Sequence, residues 1–259
     1  MDKNNSKKVV AITRPLNRVS EAVKIVEANG AIALVVPTLE LCLLNTPSLK
    51  KLMIDASDLD WLIFTSATSI DSIFNFYPDF LDNLNSKCKI AVIGHKTAEV
   101  AIENQLPVDI IPEDYTAEGL LECFSTMDMN GLNVGIPRTF SARKILPNEL
   151  KNMGANVLLA ESYKSVIPED TGKIEVLISK ILNDEVDAIT FTSPLTVKNL
   201  FNVASDSEKV ELASKMSSSV LTVCIGPITY KILDDFNVDC IYPDTYTVKD
   251  MMELLFQKL

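Results

Sequence analysis

The chain contains a single histidine, His95, and five cysteines among its 259 residues. One histidine argues against both a histidine-based metal site and a Ser-His-Asp triad. The cysteines are widely separated in sequence, which excludes CxxC pairs; they lie at positions 42, 88, 123, 224 and 240. This scatter is typical of reduced, buried thiols.

Long apolar runs are also missing. No stretch approaches the roughly 18–20 consecutive apolar residues that cross a bilayer, and neither a GxGxxG pattern nor a P-loop occurs. The N-terminal stretch MDKNNSKK is polar and leads directly into the strand-like VVAIT. We therefore expect a short solvated tail, no signal peptide and a cytoplasmic protein.

Positive charge is scarce relative to negative charge. The chain has 24 lysines and arginines against 35 aspartates and glutamates, a formal net charge of −11. This balance argues against non-specific binding to nucleic acid or to anionic lipid, because both are negatively charged themselves. Apolar residues make up 47% of the chain and charged residues 23%, which is typical of a folded, soluble protein.

Short apolar runs alternate with helical patterns, as in α/β proteins with mainly parallel sheets. VVAIT at 9–13 and AIALVVP at 31–37 predict strands. Between them, SEAVKIVEANG at 20–30 predicts a helix with one apolar side and with Gly30 as its stop.

The sequence also repeats itself once. The matched blocks are FTSATSI (64–70) with FTSPLTV (191–197), AVIGHKTAEVA (91–101) with VCIGPITYKIL (223–233), and IIPEDYTAEGLLE (110–122) with CIYPDTYTVKDMMELL (240–255). The opening VVAITRP…EANGAIALVVP has a fainter match in NVGIPRTF…KNMGANVLLA, where Arg14 aligns with Arg138. Four blocks in the same order, at nearly constant spacing, indicate two similar α/β domains from a duplication, not a solenoid.

The repeat leaves the domain boundary open. One possibility is a simple split near residue 125. In the other, the domains are interleaved and the chain crosses between them at segments 39–49 and 161–172. Both segments lie between two of the repeated blocks.

Each FTS block places two hydroxyl residues between a strand and a helix: Thr65 and Ser66, then Thr192 and Ser193. Hydroxyls in such positions cap the first helical turn. The other amides of that turn, with the positive end of the helix dipole, can bind an anion beyond the strand ends. We expect both pairs to face one ligand cleft if the domains oppose each other; capping without a ligand is the alternative.

The other two repeated blocks also place hydroxyl residues near the start of a predicted helix. Gly94 and Gly226 permit a tight turn after a strand, and Thr97 and Thr229 are expected to cap the helix or contact a ligand. Thr116 and Thr247 are predicted as a third N-cap, one in each copy.

The four arginines, Arg14, Arg18, Arg138 and Arg143, all lie just after a strand in the first block of a repeat. Arginine recognises carboxylates and phosphates through two parallel hydrogen bonds. Because lysine supplies nearly all other positive charge, this placement indicates anion binding, with surface ion pairing as the alternative. The residues alone therefore indicate a bilobed α/β protein with an anionic ligand and no cofactor.

In their order and spacing, these blocks resemble the uroporphyrinogen-III synthase family over nearly all of residues 9–257. Further matching stretches are ITRP (12–15), PRTFSARKILPNELKNMGANV (137–157) and ESYKSV (161–166). The resemblance implies two similar flavodoxin-like α/β domains with parallel sheets, joined by a two-stranded connector, with the ligand cleft between them. It also implies interleaved boundaries: residues 1–37 with 168–259 form domain 1, residues 44–161 form domain 2, and residues 38–43 with 162–167 form the connector.

That family closes the linear tetrapyrrole hydroxymethylbilane to uroporphyrinogen III, with inversion of the last ring and loss of water, without metal or organic cofactor. The resemblance thus implies a cytoplasmic, cyclising lyase of tetrapyrrole biosynthesis that needs no cofactor. Its partner is the octacarboxylate substrate, handed over transiently by hydroxymethylbilane synthase. A monomer that binds neither nucleic acid nor membrane is expected. The competing hypothesis is a cytoplasmic bilobed α/β protein that binds a small anion without turnover.

Site residues carry over from the family position by position. Tyr163 in ESYKSV matches the candidate proton donor, with packing between lobes as its alternative role, and Thr229 in GPIT matches a cleft threonine. Ile228 and Tyr230 depart from the smaller residues usual in the family, and His95 falls at a variable position without a role. The candidate substrate-binding residues are Arg14, Thr65, Ser66, Thr97, Tyr115, Thr116, Arg138, Arg143, Thr192, Ser193, Pro194, Gly226 and Pro227.

Overall fold

A computed structural model of the protein describes residues 7–259. Most of the predicted solvated tail, residues 1–6, lies outside the described residues. The strands within residues 7–259 are β1 (Val9–Ile12), β2 (Ile32–Val35), β3 (Glu40–Leu43), β4 (Trp61–Phe64), β5 (Lys89–Val92), β6 (Asn133–Arg138), β7 (Asn156–Glu161), β8 (Tyr163–Val166), β9 (Ala188–Phe191) and β10 (Leu221–Cys224). The α-helices are α1 (Ser20–Ala28), α2 (Pro47–Ile54), α3 (Ala67–Phe76), α4 (Phe80–Asn83), α5 (His95–Glu103), α6 (Ala117–Ser125), α7 (Ile145–Asn152), α8 (Gly172–Leu182), α9 (Pro194–Val203), α10 (Asp206–Ser218), α11 (Pro227–Asp235) and α12 (Val248–Lys258).

The chain divides into two compact units. Unit 1 consists of Met1–Glu40 and Val166–Leu259, and unit 2 consists of Leu41–Ser165. The chain passes from one unit to the other within β3 and returns within β8, and these two strands form a separate two-stranded sheet. The predicted domain boundaries stay a prediction.

Each unit contains one four-stranded parallel sheet. The strand order is β10-β9-β1-β2 in unit 1 and β5-β4-β6-β7 in unit 2. An isolated parallel bridge extends each sheet at one edge, from Val223 to Ile241 in unit 1 and from Ala91 to Ile110 in unit 2. The extended unit 1 sheet has the flavodoxin-like strand order. The predicted α/β class with two parallel sheets is confirmed.

Each sheet takes strands from both copies of the repeat. In unit 1, β1 from the first copy pairs with β9 from the second, with Ala11 beside Ile189. In unit 2, β4 from the first copy pairs with β6 from the second, with Leu62 beside Gly135. When each strand is matched to its counterpart in the other copy of the repeat, the two sheets have the same strand order. A split near residue 125 would separate β4 from its neighbour β6.

The central strands β4 and β9 are mostly apolar and fully buried, as expected when helices cover both faces of a sheet. All four residues of β4 and all four of β9 are buried. Trp61 of β4 packs edge-on against Phe124 of α6, with ring centroids 4.9 Å apart. Burying one such side chain completely stabilises the fold by about 1.5–3 kcal/mol. Within residues 7–259, no helix has both the length and the apolarity needed to cross a bilayer.

Helix α1 shows how closely local sequence determines these elements. It begins at Ser20 and ends at Ala28, and it buries Ala22 and Val26. Gly30 follows with φ of 74°, a left-handed conformation that glycine adopts without strain. The predicted helix and its stop are both confirmed.

Candidate functional site

The predicted site residues gather at one edge of each sheet. Parallel strands bring their carboxyl ends to the same edge, where ligands of open α/β sheets bind. In unit 1, Arg14 follows β1, Ser193 follows β9 and Gly226 follows β10. In unit 2, Ser66 follows β4 and Gly94 follows β5 in the same way. Each unit therefore has its own set of polar groups at this edge.

The serine of each FTS block caps the helix that follows. Ser66 Oγ accepts a hydrogen bond from the Thr68 amide at 3.3 Å, and Ser193 Oγ accepts one from the Thr196 amide at 3.4 Å. Pro194 occupies the first turn of α9, where its missing N–H leaves no donor unsatisfied. The predicted capping is confirmed for these serines. Contact with a ligand stays a prediction.

The threonines that precede these serines are half-buried. Thr65 follows β4, and Thr192 follows β9. Their hydroxyl groups form no hydrogen bond to another residue in 7–259. Their predicted contact with the ligand is untested.

Thr97 and Thr229 do not cap their helices, so that part of the prediction is wrong. The N-caps are Gly94 and Gly226, neither of which provides a side-chain cap. Because each helix begins directly after its glycine, each threonine falls at the third helical position. Thr97 is 6% exposed and Thr229 is 2% exposed. Their contact with a ligand stays a prediction.

Tyr115 lies against the start of α5. Its hydroxyl is hydrogen-bonded to His95 Nε2 at 2.5 Å, with the two ring centroids 5.0 Å apart. The next residue, Thr116, caps α6 by accepting a hydrogen bond from the Gly119 amide at 3.0 Å, as predicted. No local pattern links His95 to Tyr115, so sequence reasoning missed this contact. The repeat gives no signal for it either, because Pro227 takes the place of His95 in the second copy.

Arg14 has a largely unsatisfied guanidinium group. Its Nε and Nη1 are buried and have no hydrogen-bond partner among residues 7–259. Burial lowers the pKa of Arg14 below its ordinary value; the Glu21 carboxylate opposes this shift and the Arg18 charge adds to it. An unpaired buried cation is costly. A carboxylate ligand would offset that cost.

Arg138 differs, because it holds backbone carbonyls. It is the last residue of β6 and not a residue after the strand; it is 5% exposed. Its Nη2 donates to the carbonyl of Arg143 at 2.8 Å, and its Nε donates to the carbonyl of Thr139 at 3.3 Å. Arg143 itself forms a bidentate pair with Glu118, at 2.6 and 3.0 Å. The hydrogen bond from Arg143 lowers the pKa of Glu118.

Tyr163 is the first residue of β8 and is 8% exposed. It lies near Arg138: burial lowers the pKa of that arginine, and the Tyr163 phenolic group opposes the shift. The preceding residue, Ser162, connects this segment to the β6 end, because its amide donates to the Arg138 carbonyl at 3.0 Å. The segment that carries Tyr163 is therefore attached to the end of β6 in unit 2.

A metal site is not apparent in the described part of the chain. No group of three or more His, Cys, Asp or Glu side chains within residues 7–259 is arranged to hold a metal ion. The expectation that the protein uses no cofactor stays a prediction.

The edge residues, the sheet order and the repeated blocks agree with one protein family. The family model described as Uroporphyrinogen-III synthase HemD matches residues 20–253. The chain belongs to the uroporphyrinogen-III synthase family. A protein of Methanothermobacter thermautotrophicus named "Putative uroporphyrinogen-III synthase" is 48% identical over 246 residues, which cover 95% of this chain and 96% of that protein. The "Uroporphyrinogen-III synthase" of Synechococcus elongatus is 28% identical over 228 residues, 86% of this chain and 84% of its own length.

Solved structures with the same fold carry the same family name. A mutant uroporphyrinogen III synthase from Thermus thermophilus has a TM-score of 0.61 at 21% identity, with 97% of this chain and 98% of that chain covered. The uroporphyrinogen-III synthetase of Helicobacter pylori 26695 has a TM-score of 0.69 at 15% identity, with 97% and 99% covered. At these identities the similarity shows the fold alone.

The two departures from the usual uroporphyrinogen-III synthase pattern lie together on α11. Ile228 and Tyr230 are both exposed near the start of this helix. Tyr230 packs edge-on against Tyr242 with ring centroids 5.4 Å apart, and the Tyr242 centroid lies 6.4 Å from that of Tyr246. In this member of the family, an aromatic cluster therefore accompanies the GPIT block.

Proposed function

We propose that this chain is a uroporphyrinogen-III synthase, a lyase that cyclises hydroxymethylbilane to uroporphyrinogen III with inversion of ring D and loss of water. One observation carries the proposal: the family match spans residues 20–253, which include most of both units. The named relative at 48% identity supports it over 95% of the chain. A cytoplasmic location is part of the same proposal.

An acidic protein that binds an octacarboxylate needs local donors, because its net charge is −11. Arg14 can supply two guanidinium nitrogens that have no partner among the described residues. The first turns of α3 and α9 can add amide donors at the positive ends of their helix dipoles. Carboxylate binding by these groups requires no further positive charge on the molecule.

The chemistry suits a protein that mainly positions its substrate. The pyrroles of hydroxymethylbilane supply the electrons that expel the hydroxyl group and form an azafulvenium cation. Attack on that cation by the substituted carbon of the last ring gives a spiro intermediate, which fragments and closes again with the ring reversed. The protein has to hold these two carbons together, assist loss of the hydroxyl group and stabilise the cation.

Tyr163 is the residue we assign to proton donation. Its phenolic O–H can protonate the departing hydroxyl group, which then leaves as water. The electrostatic interaction between this phenolic group and the Arg138 guanidinium supports the assignment. No cofactor or metal takes part in the proposed reaction, and the enzyme acts as a monomer that receives its substrate from hydroxymethylbilane synthase.

The isomer composition of the product tests the proposal. The purified chain is added to porphobilinogen and hydroxymethylbilane synthase, and the oxidised porphyrins are separated. Without a synthase the bilane closes to isomer I, so we expect the chain to shift the product to isomer III. Isomer I alone would refute the proposal and favour an anion-binding protein without turnover.

The variant Tyr163→Phe tests the proton donor. Loss of a general acid slows ring closure by about 100-fold or more, while the melting temperature should change little. Tyr77→Phe is the matched control, since it removes a phenol that is bonded to Asn45 elsewhere in unit 2. An unchanged rate in Tyr163→Phe would remove Tyr163 from the chemistry.

A further inference from the structure

Unit 2 contains a cavity of about 440 Å³ beside the end of β6. Its walls come from the loop after β6, from α7 and from the edge strand β7. Phe140, Pro147 and Leu159 provide an apolar surface. This volume lies in the usual range of small-molecule sites, about 300–1,000 Å³.

One face of α7 contributes most of the polar lining. Lys144, the N-cap of α7, lines the cavity together with Pro147, Asn148 and Lys151 of the helix itself. Their spacing matches one and two turns of a helix, so they lie on the same side of α7. Leu146 and Leu150 are buried on the other side, in the core of unit 2. The packing of the helix therefore directs two lysines toward the cavity.

Arg138 adds a third cation, and none of the three is neutralised within residues 7–259. Arg138 donates to the carbonyls of Thr139 and Arg143, which carry no net charge. Lys144 and Lys151 form no ion pair with a described residue. No carboxylate among the described residues lines the cavity. Three uncompensated cations in one cavity of a protein with net charge −11 make it a local site for anions.

The matched positions of unit 1 have a different set of charges. In the register that matches Arg14 with Arg138, Ser20 takes the place of Lys144, Lys24 that of Asn148 and Glu27 that of Lys151. The matched helix α1 therefore has one carboxylate where α7 has a lysine. The positive cavity is a property of unit 2 and not of the repeat.

We infer that this cavity binds an organic polycarboxylate, with its carboxylates on Arg138, Lys144 and Lys151 and its ring against Phe140, Pro147 and Leu159. The apolar wall favours such a ligand over an inorganic anion, which would leave that wall in contact with water. The ligand class rests on the proposed function, because hydroxymethylbilane combines pyrrole rings with carboxylate arms. The site then holds one pyrrole of the tetrapyrrole by its acidic arms.

Porphobilinogen, a single pyrrole with two carboxylates, is the probe. Titration into the ¹⁵N-labelled full chain should shift the amide signals of Phe140, Lys144 and Lys151. Lys151→Gln should weaken this binding about threefold to tenfold, as expected for one charged hydrogen bond near the surface. Lys151→Glu should weaken it further. Lys24→Gln is the control, since it removes the same charge from the exposed side of α1.

The outcomes separate this inference from the proposed function. Binding that is unchanged in Lys151→Glu, or the absence of shifts around the cavity, would overturn the inference. Inorganic phosphate that gives the same shifts with equal affinity would also overturn it, because the site would then not select an organic ligand. The isomer assay is independent: a chain that yields only isomer I but binds porphobilinogen here loses the proposed function and retains the site.

Discussion

Arg14 in unit 1 and Arg138 in unit 2 occupy matched positions of the repeat, yet their guanidinium groups have different surroundings. Arg138 donates to two backbone carbonyls and so fixes the loop after β6. Arg14 has two buried nitrogens without a partner in the described residues. One sequence position therefore fixes a loop through hydrogen bonds in one copy of the repeat and has no such bonds at two buried nitrogens in the other.

Replacing each arginine by methionine should give the largest difference in stability between the two positions. Arg138→Met removes two hydrogen bonds from a charged donor and should lower the free energy of unfolding by about 2–3 kcal/mol. Arg14→Met removes a buried cation with two nitrogens that have no hydrogen-bond partner in the described residues, so stability should stay the same or rise. Chemical denaturation of both variants measures the difference. Equal losses would show that Arg14 also stabilises the fold.

Arg14→Met also tests ligand binding, because its two buried nitrogens have no hydrogen-bond partner among the described residues. If the proposed function holds, Arg14→Met raises the KM for hydroxymethylbilane although the chain remains stable. This result would assign the Arg14 guanidinium to ligand binding.

The two N-cap glycines are required for different physical reasons. Gly94 has φ of 85°, a conformation that costs other residues about 1–2 kcal/mol. Gly226 has an extended backbone, but a Cβ there would lie 3.0 Å from the Tyr246 ring. Both Gly94→Ala and Gly226→Ala should therefore lower stability by about 1–2 kcal/mol.

A second substitution distinguishes these two causes. Tyr246→Ala should relieve the loss caused by Gly226→Ala, because it removes the ring that the new Cβ meets. Tyr115→Ala should not relieve the loss caused by Gly94→Ala, since the strain is in the backbone. Thermal melting of the two double variants gives the answer. If Tyr115→Ala restored the stability lost in Gly94→Ala, the loss would come from a side-chain clash and not from backbone strain.

The tyrosines above these glycines differ in their hydrogen bonds. Tyr115 is bonded to His95, whereas Pro227 occupies the matched position in unit 1 and Tyr246 forms no hydrogen bond through its hydroxyl within residues 7–259. Tyr115→Phe should lower the free energy of unfolding by about 0.5–1 kcal/mol, and Tyr246→Phe should leave it unchanged. Adding His95→Ala to Tyr115→Phe should cost little more, because the bond is already lost. Additive losses in the double variant would contradict this pairing.

Local features of both units could be predicted from sequence, because short-range chemistry determines them. Ser66, Ser193 and Thr116 cap helices where a hydroxyl residue follows a strand or loop. Gly30 ends α1 because its φ is positive. Thr97 was misplaced because Gly94 starts the helix earlier than the threonine suggests.

Long-range partners could not be predicted in this way. The pairing of β4 with β6 joins the two copies of the repeat, and no local pattern marks it. The carbonyl partners of Arg138 depend on the path of the following loop, and the contact between Tyr115 and His95 depends on the path of another. The repeat indicated which positions correspond, but not that their surroundings differ.

The smallest expected difference between the units is a difference in how one substitution in each changes stability with pH. Asp71 on α3 corresponds to Lys198 on α9 when the two FTS blocks are aligned. Partial burial raises the pKa of Asp71 above its ordinary value, and the nearby Glu103 charge raises it further. A raised pKa means that folding disfavours the charged carboxylate, so the contribution of Asp71 to stability is lost as pH rises through its pKa in the folded state.

Asp71→Asn should therefore stabilise the protein at pH 7 and have no such effect at about pH 3.5, below the usual aspartate pKa. Because Asp71 is exposed, solvent screening limits the gain to a few tenths of a kcal/mol. Lys198→Gln in unit 1 is the matched control, since lysine does not titrate over this range. Melting temperatures of both variants at the two pH values decide the point. A gain for Asp71→Asn that is equal at both pH values would come from helix propensity and not from the carboxylate charge.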